Sequence, residues 1–60
     1  MTRKHFVEIA ATIKSERDAA TARGESTTAL DNAARGLCVT FKTANSAFDR
    51  QRFLTACGIA

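Results

Sequence analysis

The chain has 60 residues, 25% of them charged and 45% hydrophobic, and its formal net charge is +3. This length allows one domain with a small core, and this balance of charged and apolar residues excludes a disordered chain. No apolar run approaches the ~18 residues of a transmembrane helix, and Glu8 interrupts the short run at Phe6–Ala11, so we expect no signal peptide. Proline is absent and alanine is abundant, which favours helices. We predict a single cytoplasmic all-α domain over residues 1–60, built from three helices.

The first predicted helix is long and amphipathic. Thr2 is its expected N-cap, because a threonine hydroxyl can accept a hydrogen bond from the first turn, and Met1 and Phe6 take the staple positions around that cap. Side chains for the core then recur at helical spacing: Phe6, Ile9, Ala10 and Ile13, and more weakly Arg17 and Ala20. Gly24 is the predicted stop. Because residues 15–22 carry little large apolar surface, we expect the helix to fray before Gly24.

The second predicted helix begins near residues 26–28. Thr28 with Asp31 three residues later is an acidic form of the capping signature. The predicted buried face comprises Leu30, Ala33, Ala34, Leu37, Cys38 and Phe41. Gly36 costs about 1 kcal/mol relative to alanine in a helix interior, and we favour close packing of another helix as the reason for it. The helix is predicted to end at Asn45–Ser46.

The third predicted helix is short and has signals at both ends. Asp49 is the expected N-cap, and Phe48 before it and Phe53 within it form a hydrophobic staple. Gly58 takes the left-handed position after the helix, and Ile59 closes a Schellman motif. A helix of about two turns is not stable alone, so packing must hold it on the other two.

The residues that could carry chemistry are few and scattered. Cys38 and Cys57 fall on apolar faces, where they are expected to be small buried hydrophobes rather than a disulfide in a reducing cytosol. His5 is expected to be exposed in the first turn, away from both cysteines. No local spacing suits a metal site, a phosphate loop or an acid–base pair. We predict no catalytic residue, no metal, no cofactor and no enzymatic activity.

The charged residues predict a binding surface instead. The candidate binding residues for protein or nucleic acid are Arg3, Lys4, Arg35, Lys42, Arg50, Gln51 and Arg52. Arg50, Gln51 and Arg52 open the last helix, where such side chains could reach base edges in DNA. The preceding turn lacks the glycine common in helix-turn-helix turns, and the helix is short. Further candidates for an exposed contact face are Val7, Ala11 and Phe41, although each also suits the periphery of the core.

Both ends of the chain resemble a widespread set of short proteins of unknown role that phages and prophages encode. The opening motif is Thr2-Arg3-Lys4-His5-Phe6 followed by Ile9-Ala10, and the closing motif is Asn45, Phe48-Asp49-Arg50, Arg52-Phe53-Leu54 and Ala56-Cys57-Gly58. The likeness covers about half of the chain. The chain departs from that pattern at Ser46–Ala47, where the set has a Pro-Arg pair, and at residues 19–28, which look like an extended linker.

The resemblance implies an origin in a mobile element but no particular activity. Phages encode many small inhibitors of host machinery, anti-CRISPR proteins among them, and this analogy of origin and size favours a protein-binding module that blocks a host defence complex by steric occlusion. Its partner would be a host protein or ribonucleoprotein in the host cytoplasm. A DNA-binding regulator is the alternative hypothesis, and a homodimeric structural protein is the second alternative.

Overall fold

The computed structural model describes residues 2–59 and contains three helices: α1 (Arg3–Ala22), α2 (Thr28–Ala44) and α3 (Arg50–Ala56). This confirms the predicted all-α fold with a long first helix, a second helix and a short third one. The staple position predicted for Met1 lies outside the described residues. None of the described helices has the length and apolar character needed to cross a bilayer.

The first turn of α1 is capped by a pair of side chains rather than by threonine alone. Thr2 is the N-cap, as predicted. Its backbone N–H donates to Nδ1 of His5 at 3.1 Å, and its hydroxyl lies 3.2 Å from the same nitrogen. His5 therefore takes the place that glutamate or glutamine holds in the usual capping box. It is exposed, as predicted.

The end of α1 differs from the prediction. The helix continues without fraying to Ala22, so only residues 23–27 connect it to α2, and the expectation of an extended linker over residues 19–28 was wrong. Gly24 ends the helix as predicted, at φ +73°, and the N–H of Glu25 donates to the carbonyl of Ala20 at 2.8 Å in a Schellman motif. Burial of Ala20 and this capping bond hold the last turns of the helix although large apolar groups are lacking there.

The start of α2 lies one residue from the predicted signature. Thr27 is the N-cap, and the hydroxyl of Ser26 accepts from the N–H of Thr28 at 3.2 Å. Thr28 is therefore inside the first turn, and the predicted Thr28–Asp31 capping signature was wrong. The carboxylate of Asp31 instead accepts from Arg17 of α1 at 2.7 Å and from the hydroxyl of Thr27 at 3.3 Å.

A core of four phenylalanines joins the three helices. The ring of Phe41 lies 4.8 Å from that of Phe6 and 5.4 Å from that of Phe53, and Phe48 lies 5.0 Å from Phe6. Around these rings are further buried residues: Ala10, Ala34, Cys38, Leu54, Cys57 and Ile59. The prediction that both cysteines are small buried hydrophobes is confirmed, and both are free thiols.

The helix α3 occupies the crevice between α1 and α2 and contacts both. Phe48, just before α3, packs on Phe6 near the start of α1, whereas Gly58, just after it, lies against Arg17. α3 therefore runs in the same direction as α1. The hairpin formed by the end of α1 and the start of α2 extends beyond α3 as a two-helix arm, which explains the 36 Å length against widths of 18 and 16 Å.

Both ends of α3 are capped as predicted. The Oδ1 of Asp49 accepts from the N–H of Arg52 at 3.0 Å, and the rings of Phe48 and Phe53 form the staple at 5.6 Å. After the helix, Gly58 has φ +83° and the N–H of Ile59 donates to the carbonyl of Leu54 at 2.9 Å. These short-range signals fix where a seven-residue helix starts and stops, while its stability comes from the core.

Replacing the cap, Asp49→Ala, should lower the free energy of unfolding by about 1 kcal/mol, because the N–H of Arg52 loses its acceptor. Thermal melting followed by circular dichroism measures this. Asp49→Ser is the matched control and should retain most of the stability. An unchanged melting temperature for Asp49→Ala would show that the capping bond contributes nothing.

Gly36 lies on an open face of α2, which corrects the prediction of close packing. No atom lies within 4 Å of the position that a Cβ would take there. Ala33, also predicted on the buried face, is exposed. Both positions lie on the outer side of the helix, since α1 and α3 together cover only the stripe that contains Ala34, Cys38 and Phe41.

Gly36→Ala should therefore stabilise the protein by about 0.5–1 kcal/mol, because alanine is the better helix former and has room. The expected rise in melting temperature is about 2–8 °C. The reverse change at the exposed Ala33, Ala33→Gly, should lower it by a similar amount. A fall in melting temperature with Gly36→Ala would indicate that this face is covered in solution, for example by a second copy.

Arg17 connects all three helices. Its Nε donates to Asp31 of α2 at 2.7 Å, and its Nη1 donates to the carbonyl of Gly58, after α3, also at 2.7 Å. The hydrogen bond from Arg17 lowers the pKa of Asp31 below its ordinary value. The sequence pattern predicted for Arg17 only a weak continuation of the apolar stripe. The side chain instead lies half-buried at the edge of the core and connects the segment after α3 to the hairpin.

Candidate binding site

Basic residues without an ion-pair partner in the described chain lie mostly at one end of the molecule, where α1 and α3 begin. We call this the basic end, and it comprises Arg3, Lys4, Lys42, Arg50 and Arg52. The three ion pairs among residues 2–59 involve Lys14, Arg17 and Arg23, all in the second half of α1 or just after it. The other six basic residues have no carboxylate within ion-pair distance in the part of the chain that the structure describes: Arg3, Lys4, Arg35, Lys42, Arg50 and Arg52. All six are exposed and all six were predicted binding residues.

The first groove at the basic end lies between α2 and the start of α3, and we call it the α2–α3 groove. Its volume is about 760 Å³. Lys42, Arg50 and Gln51, three of the predicted residues, line it together with Val39. The Nζ of Lys42 donates to the carbonyls of Ser46 at 2.6 Å and of Phe48 at 3.3 Å. Lys42 therefore holds the loop before α3 as well as contributing positive charge.

The second groove lies between the first half of α1 and α3, and we call it the α1–α3 groove. Its volume is about 450 Å³, and Arg3 and Arg52 line it. The apolar residues that line it come from α1, the loop and α3: Phe6, Val7, Ala10, Ala47, Phe48, Phe53 and Ala56. Residues 47–49 line both grooves, so this loop is the ridge between them.

Two predicted residues are not part of either groove. Lys4 lies in the first turn of α1 at the basic end but lines neither groove. Arg35 lies near the middle of α2, where its Nη1 is 3.4 Å from Oδ1 of Asn32. The structure thus brings together five of the seven predicted residues in two adjacent clusters and leaves Arg35 apart.

The predicted apolar contact residues differ in their exposure. Val7 is 58% exposed and Ala11 is exposed, whereas Phe41 is buried, which confirms its place on the predicted buried face of α2 and removes it from the contact candidates. Val39, 68% exposed, is the residue that sequence reasoning missed. It lies off the predicted buried face of α2, so its place on the helix was the available signal.

The residues with nucleophilic or ligating side chains do not form a cluster. Burial raises the pKa of both the Cys38 and the Cys57 thiols, which keeps them protonated and poorly reactive. His5 is engaged at the cap of α1. Among residues 2–59, no group of three or more histidine, cysteine or acidic side chains is placed to hold a metal ion. The two grooves are therefore the features on which we base a function.

Comparison with family models, with curated proteins and with solved structures gave no match. The functional argument accordingly depends on the geometry and charge of the chain itself. The strongest feature is the basic end, where cations without acidic partners among the described residues surround two grooves that contain aromatic side chains.

Proposed function

We propose that the protein is a phage-derived, non-enzymatic binding module whose basic end docks on an acidic surface of a host defence complex and blocks it by steric occlusion. One observation carries this proposal. Arg3, Lys42, Arg50 and Arg52 have no acidic partner among the described residues and line grooves whose walls include Phe48 and other apolar groups. Arginine is enriched at protein interfaces, and each groove also has an exposed valine, Val7 or Val39, beside its basic residues.

A protein or ribonucleoprotein partner fits this surface better than duplex DNA. Binding to DNA draws most of its affinity from phosphate contacts by many cations, and a recognition helix must project into the major groove. Here α3 has seven residues and buries its own Phe53 and Leu54 in the core, so it offers only a two-turn exposed face, on which Arg50, Gln51 and Arg52 lie. In a complex with DNA, the apolar residues that line the grooves would face phosphates and water and would gain no apolar contact.

The test compares two variants that lose the same charge at opposite ends of the molecule. Arg50→Gln with Arg52→Gln removes two positive charges from the basic end, and Lys14→Gln with Arg23→Gln removes two from the hairpin end. Tagged wild-type protein is used to isolate partners from a bacterial lysate treated with deoxyribonuclease only, and each recovered complex is reconstituted from purified components. We expect one defined complex to bind wild type and the hairpin-end variant, and to lose affinity for the basic-end variant by about tenfold or more.

The outcomes separate the hypotheses. Rising salt should weaken the complex, because exposed charges are screened beyond about 10 Å at 0.1 M. Equal affinities for the two variants would contradict docking through the basic end. Gel shifts with duplex DNA, lost in the basic-end variant and steeply dependent on salt, would favour the DNA-binding regulator instead. Circular dichroism tests whether both variants are folded. We expect them to be, because the ion pairs removed with Lys14 and Arg23 lie at the surface and contribute little stability.

A further inference from the structure

The α1–α3 groove combines an apolar interior with positive charge. Phe6 and the buried rings of Phe48 and Phe53 contribute aromatic surface to it, and the exposed Val7 contributes an aliphatic side chain. Arg3 and Arg52 belong to the same lining and are exposed. Its volume of about 450 Å³ is within the range of sites that hold a small ligand or a few side chains.

The electrostatics of this groove are one-sided. Asp49 is the only acidic residue in its lining among the described residues, and Oδ1 of that carboxylate already accepts the N–H of Arg52 as the cap of α3. Neither Arg3 nor Arg52 forms an ion pair within residues 2–59. An occupant that brings carboxylates would therefore gain pairing with both guanidinium groups, which bind carboxylates in bidentate geometry. A basic occupant would be repelled.

We infer that this groove receives a short acidic peptide segment of the partner protein, with one large apolar side chain packed against Phe6 and Val7 and flanking carboxylates on Arg3 and Arg52. This inference rests on the proposed function and names the chemistry of the surface that the basic end recognises. The apolar side chain supplies the buried anchor typical of an interface hot spot. The arginine–carboxylate pairs set the orientation of the segment and reject basic sequences.

The probe for this site is a displayed library of random linear peptides, selected on the intact folded protein. We expect enrichment of sequences in which aspartate or glutamate flanks leucine, phenylalanine or tryptophan. The best peptide is then synthesised and titrated into two variants, Val7→Glu and Val39→Glu. Val7 lines the α1–α3 groove and Val39 lines the other groove, and they are the two large hydrophobic residues left exposed in the described chain.

Val7→Glu should weaken peptide binding by about tenfold or more, since the new carboxylate repels the acidic segment and the apolar rim is lost. Val39→Glu, the matched control, should bind as wild type does. Both positions are exposed, so both variants should melt as wild type does. Arg52→Gln should also weaken binding, and adding salt should narrow the difference between Arg52→Gln and wild type.

Several outcomes would overturn the inference. These are enrichment of basic or uncharged peptides, no enrichment, or equal loss of affinity in Val7→Glu and Val39→Glu. Self-association that Val7→Glu abolishes would assign the groove to a second copy and would also overturn it. The two proposals fail separately. If the purified host complex requires Arg50 and Arg52 but tolerates Val7→Glu, the proposed function stands and the α1–α3 groove is not its anchor site.

Discussion

Phe53→Ala should lower the free energy of unfolding by about 3–5 kcal/mol, the usual cost of removing a buried phenylalanine. Phe53 is 4% exposed, and its ring centroid lies 5.4 Å from that of Phe41 and 5.6 Å from that of Phe48. A 60-residue domain has a total stability of about 3–9 kcal/mol. The variant is therefore expected to be largely unfolded, or to melt at least about 15 °C lower than wild type.

This effect should be global because α3 has no stability of its own. Its seven residues hold their helical form only while Phe53 and Leu54 remain in the core. Losing α3 would also uncover Phe41 and Cys38 on α2, so the α1–α2 hairpin should unfold with it. Phe53→Leu is the control and should cost less than about 1.5 kcal/mol, since it keeps most of the apolar volume.

Chemical denaturation followed by far-ultraviolet circular dichroism measures both variants. A single transition whose midpoint falls sharply for Phe53→Ala and slightly for Phe53→Leu is the expected result. If Phe53→Ala instead loses only the helical signal of α3 while the α1–α2 hairpin still unfolds in one cooperative transition, then α3 is not part of the cooperative core. An unchanged midpoint would refute the central place of Phe53.

The boundaries that could be predicted from the sequence are those set by neighbours in the chain. Asp49 and Gly58 act within one helical turn, and so does the Phe48–Phe53 staple, so short-range rules suffice for α3. The start of α2 lies within the predicted residues 26–28, but its capping signature was assigned wrongly, partly because Asp31 also has a partner in another helix. Asp31 accepts from Arg17 of α1 at 2.7 Å and from the hydroxyl of the N-cap Thr27 at 3.3 Å, so its carboxylate joins the two helices instead of capping its own helix alone.

The exposed basic surface was predictable in composition but not in shape. The exposed cations follow from charge and helical position alone, so Arg3, Arg50 and Arg52 were identified without a structure. The α1–α3 groove forms because α3 returns alongside the start of α1, which brings Arg3 and Arg52 into one lining although they are far apart in the chain. Packing between distant helices has no signature in the local sequence. For the same reason, whether Val7 is buried or exposed could be decided only from the position of α3.

The second large effect is expected for Gly58→Ala, which should cost about 1–3 kcal/mol. Alanine at φ +83° pays about 1–2 kcal/mol for the left-handed conformation. Its Cβ would also lie 3.0 Å from Nη1 of Arg17, which donates to the carbonyl of the same glycine at 2.7 Å. Arg17 would have to shift, and the weakened charged hydrogen bond should add up to about 1 kcal/mol.

The two other glycines separate these contributions. Gly24 has a similar φ of +73° and open space around it, so Gly24→Ala should show the conformational cost alone. Gly36 has neither constraint, and alanine there should stabilise. Thermal melts of the three variants should therefore rank Gly36→Ala above wild type, Gly24→Ala below it and Gly58→Ala lowest. Equal losses for Gly24→Ala and Gly58→Ala would show that the contact with Arg17 adds nothing.

A double-mutant cycle tests the Arg17 contact directly. Arg17→Met removes the guanidinium group and keeps much of the apolar stem, so the Cβ that Gly58→Ala introduces would meet no charged donor in the double variant. If Arg17 holds Gly58, the double variant should lose less stability than the sum of the two single variants, with a coupling of about 0.5–1 kcal/mol. Strict additivity would mean that α3 is closed by its own Schellman motif and that the hairpin and α3 are linked through the phenylalanine core alone.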